Sequence, residues 1–89
     1  MDVKNMMEII VEQQMEKILR HYDCCKCDKC KEDIFAIALN NMPPKYVSTR
    51  MGSFYARLDA LSFQVDADVY KAIVRGIEMV KNNPNHNDN

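Results

Sequence analysis

Apolar residues recur at helical spacing in four stretches of the chain, and the breaks between those stretches set the expected architecture. In segment 3–22, Val3, Met7, Ile10, Gln14 and Ile18 fall on one stripe, with Val11 and Tyr22 at its edge. Glu8, Glu12 and Glu16 lie on the far face, and no glycine or proline intervenes, so the spacing predicts a first helix. A second pattern, over about 29–41, sets Ile34, Ile37, Ala38 and Asn41 in line, with Phe35, Leu39 and Met42 beside them. It has to stop at Pro43-Pro44, because proline lacks the N–H and disfavours helix in the residue before it.

Lys45-Tyr46-Val47-Ser48-Thr49 reads as short and extended. Ser48 or Thr49 is placed to cap a third helix over about 50–64, carried by Met51, Phe54, Tyr55, Leu58, Leu61, Ser62 and Val65. The last helix is expected to start after Asp66, an N-cap, with Val65 packing on Tyr70 as a hydrophobic staple. Asp68 in its first turn suits the positive end of the dipole. Its buried face is Val69, Ile73, Ile77 and Val80, with Tyr70 and Val74. From Asn82 the chain is polar, rich in Asn, and holds Pro84. The expected fold is all-α: a compact four-helix domain over residues 1–81, then a disordered polar tail over 82–89.

Composition narrows this picture. A chain of 89 residues makes one domain, and a core that small supplies roughly 3–5 kcal/mol of net stability. Such folds lean on a staple, and two are expected here: a metal ion and a second subunit. The helical faces are broad for four short helices, so the reading includes a symmetric homodimer, with the long stripe of the first helix as candidate interface. A net charge of −1 disfavours direct DNA binding, which needs a basic excess. No stretch approaches the roughly 18 apolar residues of a membrane span, and Met1-Asp2-Val3-Lys4 leads into a charged amphipathic pattern unlike a signal peptide. The expected location is the cytoplasm, where thiols stay reduced. No Ser–His–Asp set, carboxylate pair, Gly-rich phosphate loop or open metal site is evident, so the protein is read as not an enzyme. His86 sits in the tail, and His21 reads as a solvated histidine at a helix end. Met7, Met51 and Met79 fall on apolar stripes and read as core.

All four cysteines, Cys24, Cys25, Cys27 and Cys30, lie within seven residues of one another. Asp23, Lys26, Asp28, Lys29 and Lys31 surround them, so deep burial as small hydrophobes does not explain the cluster. Zinc binds thiolates in a tetrahedron, and Cys27-x-x-Cys30 is a familiar half-site where a helix begins. The expectation is a structural zinc ion on all four cysteines, in a loop between helices one and two. Redox or disulfide chemistry and a cluster without function are the alternatives, and His21 or a partner residue is a substitute should one cysteine stand idle.

The cysteine knot, Asp33-Ile34, Ala36-Ile37-Ala38-Leu39-Asn40 and Pro43-Pro44-Lys45-Tyr46-Val47 together resemble the late competence development ComFB family, over about residues 3–80. The stretch from Ala38-Leu39-Asn40 through Pro43-Pro44-Lys45-Tyr46-Val47 is the most specific part. The resemblance implies an accessory role in bacterial genetic competence, the uptake of DNA for transformation, with an unidentified protein partner. It also implies a receptor for cyclic dinucleotides, chiefly cyclic di-GMP, with residues 45–50 as the binding segment. The local chemistry offers that ligand something. Lys45 and Arg50 flank Ser48 and Thr49 where a helix is expected to begin, an anion-binding arrangement, and Tyr46 can stack on a purine. The plainer alternative is that Ser48 or Thr49 only caps the helix, Tyr46 and Val47 pack on the core, and Lys45 and Arg50 face water. Three functions therefore stand at this point: a zinc-stabilised accessory protein, a cyclic-dinucleotide sensor, and a DNA-handling protein.

Overall fold

A computed structural model of the chain describes residues 1–48 and 63–83. Within them the order is β1 (Val3–Asn5), α1 (Met6–Leu19), α2 (Asp28–Asn40), β2 (Tyr46–Ser48) and α3 (Phe63–Asn82). The two strands form one antiparallel sheet, with Val3 opposite Ser48, Lys4 opposite Val47 and Asn5 opposite Tyr46. The all-α, four-helix expectation is thereby corrected: the described residues hold three helices and a small sheet. Of the helix expected over 50–64, residues 50–62 lie outside the described residues and 63–64 belong to α3, and the tail from residue 84 onward also lies outside them.

The sheet explains why the first helix begins three residues later than its periodicity suggests. Val3 matches the helical stripe, yet its backbone pairs with a segment more than 40 positions away, a partner that local spacing does not reveal. Asn5 makes the change of direction. It sits in an extended conformation as the N-cap of α1, and its side-chain oxygen accepts from the Met7 N–H at 3.1 Å. The same oxygen accepts from the Lys45 N–H at 2.8 Å, and the Met6 N–H donates to the Lys45 carbonyl at 2.7 Å. One half-buried amide thus caps a helix and ties the residue after the two prolines to it. Asn5→Ala removes both bonds and is expected to cost about 1–2 kcal/mol, read as a lower midpoint in urea with an unchanged slope; an unshifted midpoint contradicts this.

The core is one cluster. Met7, Ile10, Val11, Met15, Ile18 and Leu19 of α1 meet Ile34 and Ala38 of α2, and Val69, Ala72, Ile73, Ile77 and Val80 of α3. α3 packs most extensively on α2. The two helices approach closely at Gly76, where an added Cβ would lie 3.0 Å from the Ile34 carbonyl oxygen and 3.3 Å from Ile34 Cγ2. The expected homodimer finds no support in this fold. The stripe of α1 offered as its interface is spent inside the chain, with Met7, Ile10, Val11 and Ile18 all buried.

α2 runs Asp28–Asn40 between its caps Cys27 and Asn41, close to the expected bounds. At its end the Asn41 N–H donates to the Ala38 carbonyl and the Asn41 side chain to the Ile37 carbonyl, at 3.1 and 2.7 Å, before the prolines. α3 departs from expectation at its start. It begins at Phe63, so Asp66 is an acidic residue of the first turn and not the N-cap. An acid in that turn satisfies the helix dipole as well as a cap would, so the sequence signal suits either placement. Tyr70, expected on the buried face, is exposed.

Candidate metal centre

Between α1 and α2 the chain turns through residues 21–27. The α1 C-terminus tightens, with the His21 N–H on the Ile18 carbonyl at 3.0 Å and the Tyr22 N–H on the Leu19 carbonyl at 3.3 Å. Lys26 folds back over the turn, and its Nζ donates to the Tyr22 carbonyl at 2.7 Å and the Cys24 carbonyl at 3.5 Å. These contacts satisfy two carbonyls of the turn that follows α1. Tyr22 also reaches α3, its hydroxyl 3.2 Å from that of Tyr70. That neighbour raises the Tyr22 pKa above the ordinary phenol value.

Cys27 is the N-cap of α2, extended at φ −71° and ψ 165°, and its Sγ accepts from the Cys30 N–H at 3.5 Å. This places a sulfur in the position a Ser or Asp oxygen usually takes. The backbone N–H of Cys30 favours the charged form, so the Cys27 pKa lies below that of an ordinary thiol. Cys30 lies on the inner side of the same turn and is 1% exposed. Burial pushes its thiol up to about 12, so it stays protonated at neutral pH until something compensates the charge.

The Sγ atoms of Cys25, Cys27 and Cys30 all lie within 4.8 Å of one another. Around a zinc ion with Zn–S bonds near 2.3 Å, tetrahedral sulfurs stand about 3.8 Å apart. The three thiols therefore need to close only slightly to share an ion. Cys25 and Cys27 are exposed, which leaves an entry path. Cys24 stands apart from this group. It is half-buried and packs against the core, so the structure brings together three of the four cysteines expected to act as ligands. His21 is exposed.

The second candidate site is only partly on view. Lys45, Tyr46 and Ser48 are exposed on and before β2, while Val47 is buried beneath them. Thr49 and Arg50 lie outside the described residues. Tyr46 borders a groove of about 560 Å³ whose lining includes Glu8 and Glu12 as well as Val3, Ile9 and Phe35. Lys4 is the one cation in that lining against the two carboxylates, a balance that opposes a phosphate-bearing ligand there. The sequence reading missed this groove because β1 had been assigned to the helix. No described helix is long and apolar enough to cross a membrane.

The sequence profile of the family described as Late competence development protein ComFB matches residues 4–84, most of the chain. A solved structure of the late competence protein ComFB from Bacillus subtilis is similar to it, with a TM-score of 0.82 and 19% sequence identity, covering 98% of this chain and 99% of that one. At that identity the likeness bears on the fold alone. No curated protein matches the sequence.

Proposed function

The chain belongs to the ComFB family of late competence development proteins, and from that premise we propose that it is a non-enzymatic accessory protein of competence, held in shape by a zinc ion on Cys25, Cys27 and Cys30. The observation that carries the metal reading is the convergence of those three sulfurs at the start of α2. A soft, all-sulfur donor set selects zinc over harder ions such as magnesium or calcium. Cys24, next in the chain to Cys25, completes the set if it leaves its place against the core. The ion's task is structural. It joins the loop that follows α1 to the first turn of α2, and closure of its sphere by a fourth sulfur leaves no position for a substrate.

Elemental analysis of protein purified without chelator tests this, with about one zinc per chain expected for a single site. Absence of zinc and of every other transition metal removes the reading. The accessory role is tested separately: Cys25→Ser and Cys27→Ser together should lower transformation frequency in a competent host, and an unchanged frequency counts against it.

The metal should also bind in a pH-dependent way. Cys30 carries its proton throughout the neutral range because burial holds its pKa near 12. Zinc must displace that proton, so acid competes with the ion. Apparent zinc affinity is expected to fall about tenfold or more per pH unit from pH 8 to pH 6, in step with the protons released. A flat profile in a competition titration contradicts it.

The cyclic-dinucleotide reading draws less from the described residues, since Tyr46 shares its groove with Glu8 and Glu12 and with one cation, Lys4.

A further inference from the structure

We propose that the groove bounded by β1, the outer face of α1 and Phe35 docks a short cationic amphipathic segment of a protein partner. The apolar side of the argument is exposure. Val3 is 51% exposed, Ile9 40% and Tyr46 67%, and with the half-buried Phe35 they line one cavity of about 560 Å³. Apolar side chains scattered singly over a surface need no explanation, but a contiguous set around a concave floor does.

The charged side identifies the occupant. Glu8 and Glu12 line the groove one helical turn apart. Glu12 and Phe35 also line the adjoining hollow together with Glu16, Glu32 and Lys31, and Glu16 shares a further hollow with Arg20, Lys26 and Lys31. Glu8, Glu12 and Glu16 therefore form an acidic ridge at i, i+4 and i+8. Like charges at that spacing destabilise a helix. Among the described residues none of the three makes an ion pair. Lys4, on β1, is the one cation among the described residues that line the main groove, which it shares with Glu8 and Glu12. A segment that sets Lys or Arg along the ridge and bulky apolar residues on Ile9, Phe35 and Tyr46 satisfies both features, as a helix seated in a groove does. Nucleic acid is excluded as occupant by the sign of the ridge. The inference deepens the accessory reading and rests on it for the existence of a partner. It is independent of the metal, since the groove and the thiol cluster share no residue.

The test uses the full chain, isotope-labelled and zinc-loaded, titrated with a 14-residue peptide carrying Lys and Leu at helical spacing and, separately, with its Glu-for-Lys counterpart. The Lys peptide should shift the amide signals of Val3–Glu12, Phe35 and Tyr46, and the Glu peptide should leave them unmoved. Glu8→Lys with Glu12→Lys should weaken the Lys peptide at least tenfold, as should Ile9→Ser, a change at an exposed position with a bearable effect on folding. Three results overturn the proposal: no shift at millimolar peptide, shifts centred elsewhere, or retained affinity in the charge-reversed variant. A fourth does so as well, namely concentration-dependent shifts of the same signals without peptide, which would assign the groove to a second copy of the chain. Failure here with zinc and transformation phenotypes intact removes the groove proposal and leaves the accessory reading standing.

Discussion

Gly76→Val is expected to lower the melting temperature by roughly 12–24 °C, the equivalent of about 3 kcal/mol in a domain of this size. The reason is the closeness of α2 and α3. A single Cβ at position 76 already falls 3.0 Å from the Ile34 carbonyl oxygen and 3.3 Å from its Cγ2. The nearer obstacle is backbone within a helix, which cannot swing aside as a flexible side chain can. No described residue has a positive φ, so Gly76 is there for want of a side chain and not for a special backbone conformation. Two effects compete on substitution. Replacing a mid-helix glycine with alanine gains about 0.5–1 kcal/mol of backbone entropy, while overpacking costs about 1–3 kcal/mol. Gly76→Ala should therefore be close to neutral or mildly destabilising. Valine adds two methyls and loses that balance decisively.

The measurement is thermal unfolding of both variants alongside Ile34→Ala. Ile34→Ala alone should cost about 2–5 kcal/mol, because the side chain is almost fully buried in the core. In combination with Gly76→Ala it separates the two obstacles. A strong favourable coupling assigns the clash to Cγ2, and additivity assigns it to the carbonyl. If Gly76→Val melts with the wild type, the close contact between α2 and α3 is wrong.

What the sequence made legible follows the range of the interactions involved. α2 was readable almost to the residue because its signals are local: a cysteine whose side chain caps the first turn, a helical apolar stripe, and two prolines at the end. The buried face of α3 was equally plain at Val69, Ile73, Ile77 and Val80. β1 was not readable. Val3 fits the stripe of α1, and only its pairing with Ser48 withdraws it. Asn5 before Met6-Met7 did carry an N-cap signal that could have placed the boundary. Gln14 was assigned to the stripe, whereas Met15 and Leu19 are the buried neighbours, because α1 meets both other helices and so buries a wider arc than one stripe. The cysteines show the same limit at the site. Spacing made four equivalent candidates, but the turn at residues 21–27 and the first turn of α2 bring Cys25, Cys27 and Cys30 together and leave Cys24 packed against the core outside that group. Adjacent residues in a turn point in different directions, so Cys24 and Cys25 could not both be assigned from spacing.

Removal of the metal is the second large effect. Stripping zinc with a strong chelator is expected to lower the melting temperature by at least about 15 °C, about 2–4 kcal/mol at this chain length. The binding free energy of structural zinc is folding free energy when the ordered site is absent from the unfolded chain, and apparent values reach about 10–16 kcal/mol in peptides that have little else. This chain has something else. Val11, Ile34, Val69, Ile73 and Ile77 form a core that the thiol cluster joins only through Cys30, so helical structure should persist after stripping. The loss should begin in the turn over residues 21–27 and the first turn of α2, where Cys27 is the cap and a proposed ligand. Amide exchange at Lys29–Lys31 should accelerate before exchange in α3.

Single substitutions give the contrast that separates a metal effect from a packing effect. Cys27→Ser keeps a competent N-cap, since a serine oxygen accepts from the same N–H, so a large destabilisation there belongs to the metal. Cys24→Ser removes a partly buried thiol outside the three-sulfur group. It should cost about 1 kcal/mol of packing and hydration and leave zinc content unchanged if three sulfurs suffice to hold the ion. If Cys24 instead moves out to complete the sphere, Cys24→Ser should lower zinc affinity as Cys27→Ser does. A melting curve that neither chelator nor Cys27→Ser displaces means that the three sulfurs converge without holding an ion the fold depends on.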